Sequence, residues 1–188
     1  MKRFNVLGNE ILVSSDYIQY KKEKILLKEI QDWELDVSVV HFSTYASLML
    51  ITKNNSLIID SSATFKSNSK IQEGINNLYL ILEEILTEQI IMNFINNAVN
   101  KIKLNGSYTH GGLKFTKDFV STGLLFPLSV PYNDASINAS QMTAYNGERT
   151  EVYLNNGFLD NEKRIKTHLS SIKIQKLKIL LKYLPNYL

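Results

Sequence analysis

The sequence predicts an α+β protein built from two successive copies of one small unit, each strand-rich and ended by a helix. Three observations support this class: apolar alternation over roughly the first sixty residues, an amphipathic helix pattern from Ser69, and a self-match of the chain at an offset of 102 positions. A length of 188 residues leaves room for two small domains. We predict these domains at residues 1–103 and 104–188.

The first sixty residues alternate between apolar and polar side chains, as half-buried strands do. Glu10–Val13 and Tyr17–Tyr20 flank a polar turn at Ser14–Asp16. Residues 33–39 keep a period of two, and Asn54-Asn55 between two further apolar runs is typical of a hairpin turn. Six or seven strands joined by tight turns predict an antiparallel sheet.

The pattern changes to a helix at Ser69, which stands three residues before Gln72 with the spacing of a capping box. Apolar residues then recur at steps of three and four, namely Ile71, Ile75, Leu78, Leu82 and Ile85. Helical periodicity continues to about residue 103 on a shifted face, which favours a bend or break near Thr87-Glu88. The apolar seam of this helix, 69–103, is one candidate surface for a homodimer.

The self-match is strongest at the first predicted hairpin. At the offset of 102 positions, Ile11–Ile18 falls on Leu113–Val120, with Asp16 opposite Asp118 in the turn. A small shift of this offset places Asn54-Asn55 on Asn155-Asn156. Another small shift places the start of the first predicted helix on Lys173-Ile174-Gln175. The order of features is the same in both copies, which indicates duplication and predicts a final helix at about 171–184.

The second copy departs from the first in two places. Ala135 stands where the first copy has Trp33. Residues 136–147 are polar and contain few strand-forming residues, which predicts an irregular sheet or a loop in that part of the second copy.

Antiparallel strands followed by one amphipathic helix resemble the bacterial pleckstrin-homology-like (PH-like) domains. The first copy carries the pattern through Asp16-Tyr17-Ile18, Trp33 and the helix from Ser69, and the second through Asp118-Phe119-Val120 and the helix from Ser171. The resemblance implies two bent antiparallel sheets or open barrels, each closed at one end by its helix. Lipid-binding members use basic residues in the first hairpin, and this chain offers few there, so phosphoinositide recognition is not expected.

Catalytic chemistry has little support in the sequence. The chain contains no cysteine, and it lacks the common nucleotide-binding and metal-binding motifs. We interpret His41 as the end of a strand and His168 as a solvent-facing residue. The run His110-Gly111-Gly112 resembles the oxyanion-hole loop of esterases. No G-x-S-x-G nucleophile motif accompanies that run, so we interpret it as a glycine turn. A non-enzymatic protein without metal or cofactor is expected.

Charge and hydropathy limit the classes of partner and the cellular location that can be expected. The net charge of +3 is too small to indicate nucleic acid, although residues 101–188 hold 12 basic against 6 acidic residues. Neither a signal peptide nor a membrane-spanning apolar segment is visible, so a cytoplasmic location is expected.

The interpretation that these observations favour is a binding module for a protein or peptide partner. Its candidate anchors are aromatic residues, which are frequent at interface hot spots: Tyr17, Tyr20, Trp33, Tyr132 and Tyr145. The alternative is association with an anionic membrane surface through the basic final helix, using Lys173, Lys176, Lys178 and Lys182.

Overall fold

The computed structural model describes residues 1–40, 43–64, 68–122, 128–144, 147–156, 161–167 and 170–188. These residues form an α+β protein of antiparallel sheets and α-helices, which confirms the predicted class at that level. The chain divides into two compact units, Met1–Phe94 (unit 1) and Ile95–Leu188 (unit 2). This division falls inside a helix, earlier than the predicted boundary between residues 103 and 104.

Unit 1 starts with a four-stranded antiparallel sheet in which each strand pairs with the next. Its strands are β1 (Lys2–Val6), β2 (Asn9–Val13), β3 (Tyr17–Tyr20) and β4 (Glu23–Leu26). Apolar side chains on one face, among them Ile11, Val13 and Ile18, are buried, which is the alternation that predicted β2 and β3. Strand β1 lies outside the predicted strands.

A short 3-10 helix at Leu27–Glu29 connects this sheet to a second one. The second sheet is three-stranded and antiparallel, in the order β5 (Asp32–Val40), β6 (Ser43–Ile51) and β7 (Ser56–Thr64). The turn between β6 and β7 contains Asn54-Asn55, and the backbone N–H of Thr52 donates to the Asn55 carbonyl at 2.9 Å. The hairpin turn predicted there is confirmed.

Two helices follow, α1 (Asn68–Ile85) and α2 (Glu88–Asn105), so the helical segment is broken at Leu86-Thr87 as its shift of face predicted. Helix α1 packs against both sheets of unit 1 and buries the apolar side chains Ile71, Ile75, Leu78, Leu82 and Ile85. That face is therefore covered within its own unit. Homodimerisation through helix 69–103 stays a prediction.

Unit 2 repeats the element order of unit 1. A four-stranded antiparallel sheet consists of β8 (Tyr108–His110), β9 (Leu113–Phe115), β10 (Phe119–Thr122) and β11 (Ser129–Pro131). A 3-10 helix at Tyr132–Asp134 leads to a three-stranded sheet of β12 (Ala135–Ala144), β13 (Gly147–Asn156) and β14 (Asn161–Thr167). Helix α3 (Ser171–Tyr183) comes last, and the Ser170 hydroxyl caps it by accepting from the Lys173 N–H at 3.3 Å.

Two expectations for the second copy are wrong. The described residues of the polar stretch, 136–144 and 147, are not an irregular loop, because β12 pairs with β13 in unbroken register from Ala135 opposite Asn156 to Ala144 opposite Gly147. The Asn155-Asn156 pair ends β13 and is not a counterpart of the Asn54-Asn55 turn. Cross-strand pairing outweighs weak strand propensity in this sheet.

Replacement of Gly111 by alanine is expected to destabilise unit 2 by about 1–3 kcal/mol. Gly111 occupies the β8–β9 turn at φ +57°, and a Cβ there would lie 3.0 Å from Cδ1 of Leu177. Leu177 is fully buried, so its side chain has little room to move away. Gly106→Ala is the control, because Gly106 also has positive φ (+74°) but nothing within 4 Å of a new Cβ. Equal losses of unfolding free energy in urea would contradict the close contact with Leu177.

Candidate functional site

The aromatic residues proposed as partner anchors lie in different environments. Trp33 is fully buried against Phe94, with ring centroids 5.3 Å apart, and Tyr20 is 5% exposed. Neither side chain reaches the surface of unit 1. Tyr17 is half-buried, with the Lys24 ammonium 3.7 Å from its ring centroid in a cation–π contact.

The second-copy candidates are one half-buried tyrosine and one residue that is not described. The Tyr132 hydroxyl donates to the Thr116 carbonyl at 2.6 Å. Tyr145 lies outside the described residues, as do His41 and His168. Gly111-Gly112 forms the β8–β9 hairpin turn with positive φ at both positions, which confirms the glycine turn after His110.

The four lysines proposed for an anionic surface do not share one exposed face of α3. Lys178 and Lys182 are exposed and Lys173 is half-buried, whereas Lys176 is only 1% exposed. Lys176 stands four residues from each of Ile172 and Leu180, which are also buried. The basic surface of α3 is therefore smaller than the sequence pattern predicted.

The second sheet of unit 1 has two edge strands, β5 and β7. Among the described strands, β5 pairs only with β6, over nine residues from Asp32 to Val40. Trp33 and Leu35 point inward and are buried, so Glu34 and Asp36 lie on the outer face.

Further acidic and apolar side chains share that outer face. Asp36 lies opposite Ser47 on β6, and Ser47 lies opposite the exposed Asp60 on β7, so the three residues form one row across the sheet. The neighbouring rows contribute Tyr45 and Ile58, which are 44% and 42% exposed. This acidic and partly apolar face beside β5 was not identified from the sequence, although period-two alternation would have placed its carboxylates together.

A small cavity lies on unit 1 where the β2–β3 turn meets the first 3-10 helix and the start of α2. We call it the Leu27 cavity; its volume is about 260 Å³ and its lining residues are Ser15, Asp16, Leu26, Leu27, Lys28, Thr87 and Gln89. Asn93 fixes α2 beside it, because its side-chain amide donates to the carbonyls of Lys28 and Ile30 at 2.8 and 3.0 Å. The cavity therefore has apolar leucine walls and a rim with one carboxylate and one ammonium group.

Tyr132→Phe is expected to lower the unfolding free energy of unit 2 by about 0.5–1.5 kcal/mol at neutral pH, because the hydrogen bond to Thr116 is lost. Burial, and then the nearby Asp118 carboxylate, raise the pKa of the Tyr132 phenol in the folded chain. An unfolded tyrosine loses its proton near pH 10, so this contribution is complete below about pH 10 and declines at higher pH.

The difference between wild type and Tyr132→Phe should therefore shrink above pH 10 in urea titrations. Tyr45→Phe, at an exposed tyrosine of unit 1, is the control and should show a small difference at every pH. A Tyr132→Phe difference that grew above pH 10 would contradict the raised pKa.

Within the residues that the structure describes, no three histidine, aspartate or glutamate residues are grouped as a metal ion requires. No helix in the described part of the chain combines the length and apolarity needed to span a bilayer.

Comparisons of the chain with protein-family models, curated proteins and solved structures find no match.

Proposed function

We propose that this chain is a non-catalytic binding module of two PH-like units, which recognises an extended segment of a partner protein. The fold assignment rests on the shared element order: four antiparallel strands, a 3-10 helix, three antiparallel strands and a helix. The observation that carries the binding role is the outer edge of β5 over residues 34–40, which pairs with no described strand on the side away from β6.

Strand β5 offers a long template for strand addition. An edge strand presents a row of N–H and C=O groups that another extended chain can pair with, and several peptide-binding domains use this mode. With nine residues, β5 is longer than the five or six residues of an average strand. It can therefore hold a peptide of six or more residues.

The side chains beside this edge define the chemistry of the partner. Glu34 and Asp36 stand two residues apart on the outer face, and Asp60 lies in the same row as Asp36. Residues two apart on an added strand face the same side of the sheet. A segment with lysine or arginine at alternate positions therefore places its positive charges against these carboxylates.

The test uses a fluorescein-labelled peptide of alternating lysine and valine, with a glutamate–valine peptide for comparison, in fluorescence anisotropy titrations. The wild-type chain should bind the basic peptide only, and hydrogen exchange should show new protection of β5 amides. The double variant Glu34→Lys/Asp36→Lys should lose affinity at least tenfold.

The matched control is Glu73→Lys/Glu83→Lys, which changes the net charge equally at exposed positions of α1. This control should bind almost as tightly as wild type. Equal losses in the two double variants, or binding without protection of β5, would show that the peptide responds only to net charge and would refute the β5 site.

A further inference from the structure

The turn that borders the Leu27 cavity has a close counterpart in unit 2. The Ser14 N–H donates to the Tyr17 carbonyl, and the Thr116 N–H donates to the Phe119 carbonyl, both at 2.9 Å. In each turn the hydroxyl of the first residue also accepts from the N–H three residues later, at 3.1 and 3.3 Å. The two turns are therefore equivalent, and Asp16 corresponds to Asp118.

The two 3-10 helices are equivalent in the same way. Each follows a strand whose last residue lies opposite the first residue of the preceding strand: Leu26 opposite Tyr17, and Pro131 opposite Phe119. The residue after each helix donates its N–H to the first helical carbonyl, that of Leu27 or Tyr132. Leu27 and Tyr132 therefore occupy equivalent positions.

The side chains at these positions differ in length and chemistry. Tyr132 extends to the β9–β10 turn, where its hydroxyl donates to the Thr116 carbonyl at 2.6 Å. Leu27 is shorter and has no hydroxyl, and the Leu27 cavity lies beside it. In unit 2 the phenol thus reaches the turn that corresponds to the turn bordering the Leu27 cavity in unit 1.

We propose that the Leu27 cavity binds a tyrosine side chain of the partner protein, which would contact the β2–β3 turn as Tyr132 contacts the corresponding turn in unit 2. This inference rests on the proposed binding function and specifies the chemistry of the partner. The cavity volume of about 260 Å³ lies just below the range of roughly 300–1,000 Å³ that small-molecule sites occupy. A single large side chain fits it better than a cofactor.

The lining of the cavity suits a phenol. Leu26 and Leu27 provide apolar contacts for the ring, and the exposed Lys28 can place its ammonium group over the ring face. Asp16 lies on the rim, and its carboxylate can accept a hydrogen bond from the hydroxyl. A phenylalanine side chain would leave these polar groups without the hydroxyl.

The probe for the experiment is p-cresol, the tyrosine side chain without its backbone, titrated to about 10 mM into the full chain with labelled leucine methyl groups. Saturable shifts of the Leu26 and Leu27 methyl resonances are expected, at least several-fold stronger than those with toluene. The variant Leu27→Tyr should abolish the shifts, because its own phenol covers the cavity.

A second variant, Asp16→Ala, should weaken p-cresol binding several-fold and keeps the exposed turn backbone, so the test does not depend on Leu27→Tyr folding. Absence of saturable shifts in wild type, equal binding of toluene, or unchanged binding by Asp16→Ala would each overturn the proposal. Peptide binding at β5 uses a different probe and different variants. Loss of p-cresol binding alone therefore refutes the cavity proposal and leaves the β5 proposal standing.

Discussion

Replacing Phe94 with alanine is expected to lower the free energy of unfolding of unit 1 by about 3–5 kcal/mol, the usual cost of removing a fully buried phenylalanine. Phe94 has no exposed surface, and its ring lies 5.3 Å from that of Trp33 at an angle of 58°. Its loss removes apolar contacts, including an aromatic pair, from the place where α2 joins the core of unit 1.

Trp33 provides the measurement, because it is the only tryptophan in the chain and lies in unit 1. Its fluorescence therefore reports the unfolding of unit 1 separately from that of unit 2, which matters because two units need not unfold as one. At an m-value of about 2 kcal/mol/M, the Phe94→Ala midpoint should fall by roughly 2 M urea.

The control is Gln89→Ala, at an exposed position in the part of α2 that belongs to unit 1, with an expected change within about 0.5 kcal/mol. Similar midpoints for the Phe94→Ala variant and wild type would mean that α2 contributes little to the core of unit 1. The unit would then end before α2, and the assignment of its boundary would be wrong.

Sequence periodicity identified most of unit 1 because its strands bury alternate apolar residues. In β2 and β3 the buried positions Ile11, Val13 and Ile18 follow the period-two rule directly. Strand β1 has no such pattern, since only Val6 among its five residues is buried. Its strand conformation depends on pairing with β2 and packing against α1, which are non-local contacts.

The candidate site was harder to predict, because residue type alone does not distinguish core from surface. Tryptophan and tyrosine are common both in cores and at interface hot spots, so Trp33 and Tyr20 fitted either role until their burial was known. The tyrosine proposed for the Leu27 cavity is inferred from the difference between Leu27 and Tyr132. That difference becomes visible only when the two 3-10 helices are aligned by structure, since their offset is not the 102 positions of the turns.

Replacing Lys176 with glutamate is expected to destabilise unit 2 by about 3–5 kcal/mol, which is the usual cost of leaving a buried charge without an opposite charge beside it. Lys176 is 1% exposed on the side of α3 that also buries Ile172 and Leu180. A carboxylate in the same place reverses the charge in an environment that excludes water. Lys176→Met keeps a similar volume without any charge and should cost less than Lys176→Glu.

Hydrogen exchange of amides in α3 and β12, which pack against each other, measures this effect within unit 2. Lys178→Glu is the control, since Lys178 is exposed on the same helix and its reversal should change stability by no more than about 0.5 kcal/mol. Equal, small effects of Lys176→Glu and Lys178→Glu would contradict the burial of Lys176.

The burial of Lys176 also determines how membrane association has to be tested. A variant with all four α3 lysines changed to glutamate would lose lipid binding through unfolding of unit 2, whether or not α3 contacts a membrane. The pair Lys178→Glu/Lys182→Glu changes only exposed charges and should leave the hydrogen exchange of α3 unchanged. If wild type co-sediments with anionic vesicles and this folded pair does not, α3 binds the membrane surface; equal co-sedimentation of the two would exclude α3 as the contact.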